Sequence, residues 1–108
     1  MLSAPAFART TLNTSMMFVP LNDSEECNVV NVGAKPVTLT ISITTGDGVV
    51  LMSASTTVAP GTGEFLQDDI KSLVYCSFLL SNGSAKDVRG SLGVVDSSGT
   101  SLAALPAN

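Results

Sequence analysis

The stretch "VTLTISIT", residues 37–44, alternates apolar and hydroxyl side chains without a break. Val37, Leu39, Ile41 and Ile43 fall on one side, and Thr38, Thr40, Ser42 and Thr44 on the other. Successive side chains of a strand point to opposite faces, whereas a helix would scatter this pattern around its axis. The segment is therefore a β-strand with one face in a core and one in water. Thr45-Gly46-Asp47-Gly48 follows as a tight hairpin turn, and a second strand runs from about Val49 to Val58 until Ala59-Pro60-Gly61 ends it.

The same reading extends along the chain. Ser15 to Leu21 and Cys27 to Val32 read as strands, separated by the acidic turn Asn22-Asp23-Ser24. Gly63 to Gln67 is a short strand, and the connection after it runs from Asp68 to Ser72. Leu73 to Ser81 places Val74, Cys76, Phe78 and Leu80 inward. A loop over Ser81 to Lys86 leads to a strand at about Asp87 to Asp96, with Val88, Leu92 and Val94 inward. Thr100 to Leu105 adds an edge strand. Short strands separated by frequent turns, with no helix of useful length, predict an all-β protein: an antiparallel, immunoglobulin-like β-sandwich of seven to eight short strands.

At 108 residues the chain is a single domain, assigned to residues 9–108. Charged residues make up 13% and hydrophobic ones 44%, a balance that excludes a disordered chain. The net charge is −4, and the five cations, Arg9, Lys35, Lys71, Lys86 and Arg89, form no stripe, so nucleic acid is not an expected partner. No apolar run is long enough to span a bilayer as a helix. Ala6-Phe7-Ala8 fits a small-x-small cleavage pattern, and Leu2 to Pro5 resembles the tail of an apolar signal region. Residues 1–8 are thus read as a signal-peptide remnant, with Arg9 as the first mature residue and a secreted or periplasmic destination.

Cysteine usage agrees with that destination. Cys27 and Cys76 lie at inward positions on separate strands, and two cysteines in a short exported chain predict one disulfide. The chain has no histidine, so neither a Cys–His catalytic pair nor an ordinary zinc site is available. Acid–base chemistry would fall to dispersed carboxylates, and no catalytic residue is assigned. Calcium is the one metal the composition allows; its candidates are Asp23 and Glu25 near the Asn22 carbonyl, or Asp68 and Asp69, and neither group has EF-hand spacing. No cofactor is implied.

The pattern "CNVVNVG…VTLTISI…VAPG…YCSF…VRGSL" resembles small exported bacterial β-sandwich proteins of uncharacterised function. The cysteine placement is similar to the inter-sheet bridge of immunoglobulin-type sandwiches, although the chain has no tryptophan and Tyr75 lies one residue before Cys76 rather than two. The resemblance implies export and a sandwich, and carries no functional residue.

The first functional reading is an exported, non-catalytic binding or structural module. Its ligand, an unidentified protein or glycan, would meet the loops holding Asn22, Asp23 and Glu25 or Asn82 and Lys86. A second reading is an inhibitor or accessory subunit that occludes a partner protein. A third is a small carboxylate- or metal-dependent hydrolase. Self-association is also expected: in "LVYCSFLL" apolar residues emerge on both faces, which makes the face carrying Tyr75 and Leu79 the expected seam of a homo-oligomer.

Overall fold

The computed structural model describes residues 10–19, 23–68, 73–96, 98 and 101–107. The signal-like segment, Asn22 and Asp69 lie outside the described residues. Among the described residues nine strands occur: β1 (Thr10–Asn13), β2 (Met17–Phe18), β3 (Ser24–Asn31), β4 (Val37–Thr45), β5 (Val50–Val58), β6 (Gly63–Asp68), β7 (Leu73–Leu80), β8 (Val88–Val95) and β9 (Ser101–Pro106). The one helical element among them is a single 3₁₀ turn at Ala85–Asp87.

All pairing is antiparallel and divides into two sheets. One has the order β1-β7-β4-β5, with β2 continuing beside β7; the other has the order β6-β3-β8-β9. The predicted all-β sandwich is the observed fold. Two refinements concern its margins. After β7 the chain crosses to the second sheet, so β8 lies beside β3, while β1 occupies the place next to β7. Of the strand expected over Ser15 to Leu21, the described residues form the short β2, and β1 precedes it without having been expected; between them the Thr14 hydroxyl accepts the Cys76 N–H at 2.9 Å.

The core is built from the alternation. Val37, Leu39, Ile41 and Ile43 of β4, Val74, Cys76, Phe78 and Leu80 of β7, Cys27 and Val29 of β3, and Val88, Leu92 and Val94 of β8 are all buried between the sheets. Cys27 and Cys76 form the predicted disulfide across the two layers, with Cα atoms 5.7 Å apart. The largest core side chain, Phe78, lies over Gly90 of the opposite sheet, where a Cβ would come within 2.8 Å of the ring. Outside the core, hydroxyls link β4 to β5 side by side: Thr38 to Thr57 at 3.0 Å, Thr40 to Ser55 at 2.8 Å and Ser42 to Ser53 at 3.3 Å.

The face expected as the seam of a homo-oligomer carries Tyr75 and Leu79. Both are half-buried, because threonines stand beside them in register: Thr44 next to Tyr75, and Thr11 and Thr40 next to Leu79. The exposed apolar side chains on this flank are Met16, Phe18 and Leu73.

Candidate functional site

Three connections gather where β3 ends and β4 and β8 begin. Asn31, the last residue of β3, follows Cys27 and Val29 on the inward face and is fully buried. Its Nδ2 donates to the Lys35 carbonyl at 2.8 Å and to the Val58 carbonyl at 2.9 Å, and its Oδ1 accepts the Gly33 N–H at 2.9 Å. A buried amide with these partners is satisfied, and it pins the 32–36 loop to the end of β5. The Asn31 backbone also exchanges hydrogen bonds with Thr62 and Gly61. This ties in the Ala59-Pro60-Gly61-Thr62 turn, where Gly61 takes a φ of +76° that a side-chain-bearing residue would adopt only under strain.

Asp87 holds the third connection. Its Oδ2 accepts from the Ser84 N–H at 2.8 Å and from the Ser84 hydroxyl at 3.2 Å, which closes the 3₁₀ turn. Its backbone carbonyl accepts N–H groups from Val32 and Gly33, which joins the 81–87 loop to the 32–36 loop. Asn82 Oδ1 accepts the Thr38 N–H at 2.8 Å, so its NH₂ group remains free to donate outward.

Between these loops lies a cleft of about 490 Å³, lined by Ala34, Lys35, Pro36, Val37, Asn82, Gly83 and Asp87. It offers an exposed ammonium at Lys35, an amide donor at Asn82, a carboxylate at Asp87 and an apolar side at Pro36 and Val37. It lacks an aromatic platform, a histidine and a hydroxyl nucleophile. Such a surface can recognise and orient a polar ligand, but it has no paired acid and base.

The residues singled out from sequence do not converge. Asn82 lines this cleft, but Lys86 does not, since it lies exposed on the 3₁₀ turn with its carbonyl accepting from Arg89 at 3.1 Å. Asp23 and Glu25 lie at the opposite end of β3 from Asn31. Glu25 is not a loop residue: it is fully buried on the inner face of β3, directly across from Asp68 of β6 and Val94 of β8. Among the described residues, no three Asp, Glu, His or Cys side chains come together to hold a metal ion. Of the calcium candidates among the described residues, the register brings Glu25 and Asp68 face to face.

The residues missed from sequence are Asn31, Lys35 and Asp87. Asn31 had a readable signal, because it continues the inward series 27, 29, 31.

No protein-family model matches the chain, and no curated protein is significantly similar to it. Among solved structures, the crystal structure of Thermotoga maritima 1070 matches with a TM-score of 0.64 at 11% identity, covering 91% of each chain. At that identity the likeness defines the class, a two-layer β-sandwich, and goes no further.

Proposed function

We propose that this protein is an exported, non-catalytic binding module that takes a segment of a partner protein in the cleft between the 32–36 and 81–87 loops. The observation that carries the reading is the pair of polar anchors, buried Asn31 and half-buried Asp87, which fix the two loops and leave Lys35 and Asn82 exposed. Loops held on a rigid scaffold present recognition groups at a reduced ordering cost. The disulfide and the lack of a long apolar helix among the described residues fit a secreted or periplasmic location. The absence of an aromatic side chain in the cleft favours peptide over glycan, since sugars commonly dock against aromatic rings.

The test is capture from the exported fraction of the source cells, with Lys35→Glu and Asn82→Ala run beside the wild type, together with a glycan array. A partner retained by the wild type and lost by both variants supports the reading. Equal retention by all three places recognition elsewhere, array binding that depends on Lys35 turns the ligand into a glycan, and turnover in a hydrolase panel removes the binding-module reading.

A further inference from the structure

The four margins of the two sheets are not treated alike. β6 carries Glu64 and Asp68, charges that discourage another strand from pairing with it. β9 ends in Pro106, shifts register between Val94 and Val95, and is followed by Ala107, which bridges to Thr14 of the other sheet. The margin beside β7 is broken between β1 and β2. One flank of the sandwich is thus stitched across.

β5 is the exception. Its nine residues, VLMSASTTV, contain no charge, no proline and no glycine. Among the described residues, β4 is the one strand that pairs with it. Every second residue of such an edge directs its N–H and C=O away from the sheet. The inner face of β5 is also open: Met52 is 37% exposed although its register partner Ile43 is fully buried, and Ala54 is exposed opposite buried Ile41. Toward the other end of the strand the same face closes, with Thr56 half-buried and Val58 buried. The β5 ladder with β4 shifts register once, between Ile43 and Thr44, and is regular from Met52 to Val58; an uncharged edge that is regular over such a stretch is a template for strand addition.

We propose that β5 pairs antiparallel with β5 of a second copy of this chain, across a two-fold axis at Ala54. The sequence is self-complementary about that residue. Ala54 would meet Ala54 of the partner, a contact small enough for close approach. Ser53 would meet Ser55, which repeats the hydroxyl pairs that β5 already makes with Ser42 and Thr40. Met52 would meet Thr56, covering the apolar group left open in the single chain. Each residue keeps its face, and the two β5-bearing sheets become one continuous sheet. The contact is isologous and closes at two copies.

Light scattering and sedimentation on the disulfide-bonded protein, from about 5 to 500 µM, test this, with deuterium exchange of the β5 amides measured alongside. The expected result is a species of twice the 11.0 kDa protomer mass, with alternate β5 amides protected in a concentration-dependent way. Ala54→Lys places two ammonium groups at the axis and should weaken association by about a hundredfold or more, while thermal unfolding of the dilute protein stays near wild type. Ser55→Lys, on the outer face, should act in the same direction and serves if Ala54→Lys folds poorly. Leu73→Ser, at the exposed apolar flank, should leave the dimer intact. A wild type that remains monomeric at 500 µM overturns the proposal. So does a dimer that survives both lysine variants, or one lost in Leu73→Ser alone, or growth beyond two copies.

Discussion

Gly90→Ala examines the closest approach between the two layers. Gly90 is buried on β8, and the ring of Phe78 lies directly over it; a Cβ there would stand 2.8 Å from Cε2, 3.0 Å from Cδ2 and 3.1 Å from Cζ. Carbon atoms pack best at about 3.5–4.0 Å, so the ring or the β8 backbone must retreat by ~0.7 Å to reach that range. Phe78 is fully buried among Leu39, Ile41 and other core side chains and has no flexible end that could give way. Overpacking of this kind typically costs about 1–3 kcal/mol, against which alanine recovers about 0.5–1 kcal/mol of backbone entropy in a strand. The expected net loss is about 1–2 kcal/mol, which for a domain of this size lowers Tm by roughly 4–10 °C. Urea unfolding at constant m would read it directly. The cause is checked by a double-mutant cycle with Phe78→Leu: if the clash is with the ring, the two changes together should cost less than their sum. Gly90→Ala at wild-type stability, or strict additivity in the cycle, would refute the packing argument.

Other consequences follow from the same contacts. Asn31→Ala removes both donated hydrogen bonds and strands the Val58 carbonyl in the interior; it should cost about 2–4 kcal/mol and speed deuterium exchange across residues 32–36. Replacing Cys27 and Cys76 together by alanine opens a loop with a sequence separation of 49 and should cost about 4 kcal/mol in the chain-entropy account, read by urea denaturation. Asp47 is held below the ordinary aspartate value of 3.8, first by the Thr45 hydroxyl donating at 2.7 Å and then by its own backbone N–H. Because the folded value is the depressed one, its contribution is present above the unfolded value and is lost as pH falls through the folded value. A carboxyl NMR titration should return Asp47 toward 3.8 in Thr45→Val, and an unchanged midpoint would remove the hydroxyl as the cause.

The parts of this fold that were legible in the sequence are those where burial follows the strand period. β4 alternates through Ile43 and was unmistakable, and β7 and β8 placed their inward residues in the same way. β1 escaped because Thr10–Asn13 has a single inward apolar side chain, Leu12, and four residues with one such position carry no period. Glu25 follows the acidic turn in sequence and reads as part of that loop, although positions 25, 27, 29 and 31 lie on one face of a strand. Here the geometry of β3 overrides residue polarity at both ends of the strand. The crossing from β7 to the other sheet has no local signature, since a period of two says which face a residue takes and not which strand lies beside it. The cleft was half legible for a related reason: Asn82 sits in a recognisable loop, whereas Lys35 and Asp87 reach the same place from distant parts of the chain.

The strand directions set a last consequence, resting on both the cleft and the β5 pairing. β5 runs toward the cleft end, since its final residue, Val58, accepts from Asn31 beneath the loops. An antiparallel pair of β5 strands therefore places the two clefts at opposite ends of the joined sheet, facing away from each other. Two sites so arranged cannot both engage one flat array of ligands, so dimerisation should add no avidity there; it should instead let one dimer bridge two separate partners. With the partner peptide immobilised at increasing density, wild type and monomeric Ala54→Lys should show the same apparent affinity. With the peptide displayed on beads in suspension, the wild type alone should cross-link them. A wild-type affinity that climbs with surface density would mean that the clefts lie side by side, which antiparallel pairing through β5 forbids.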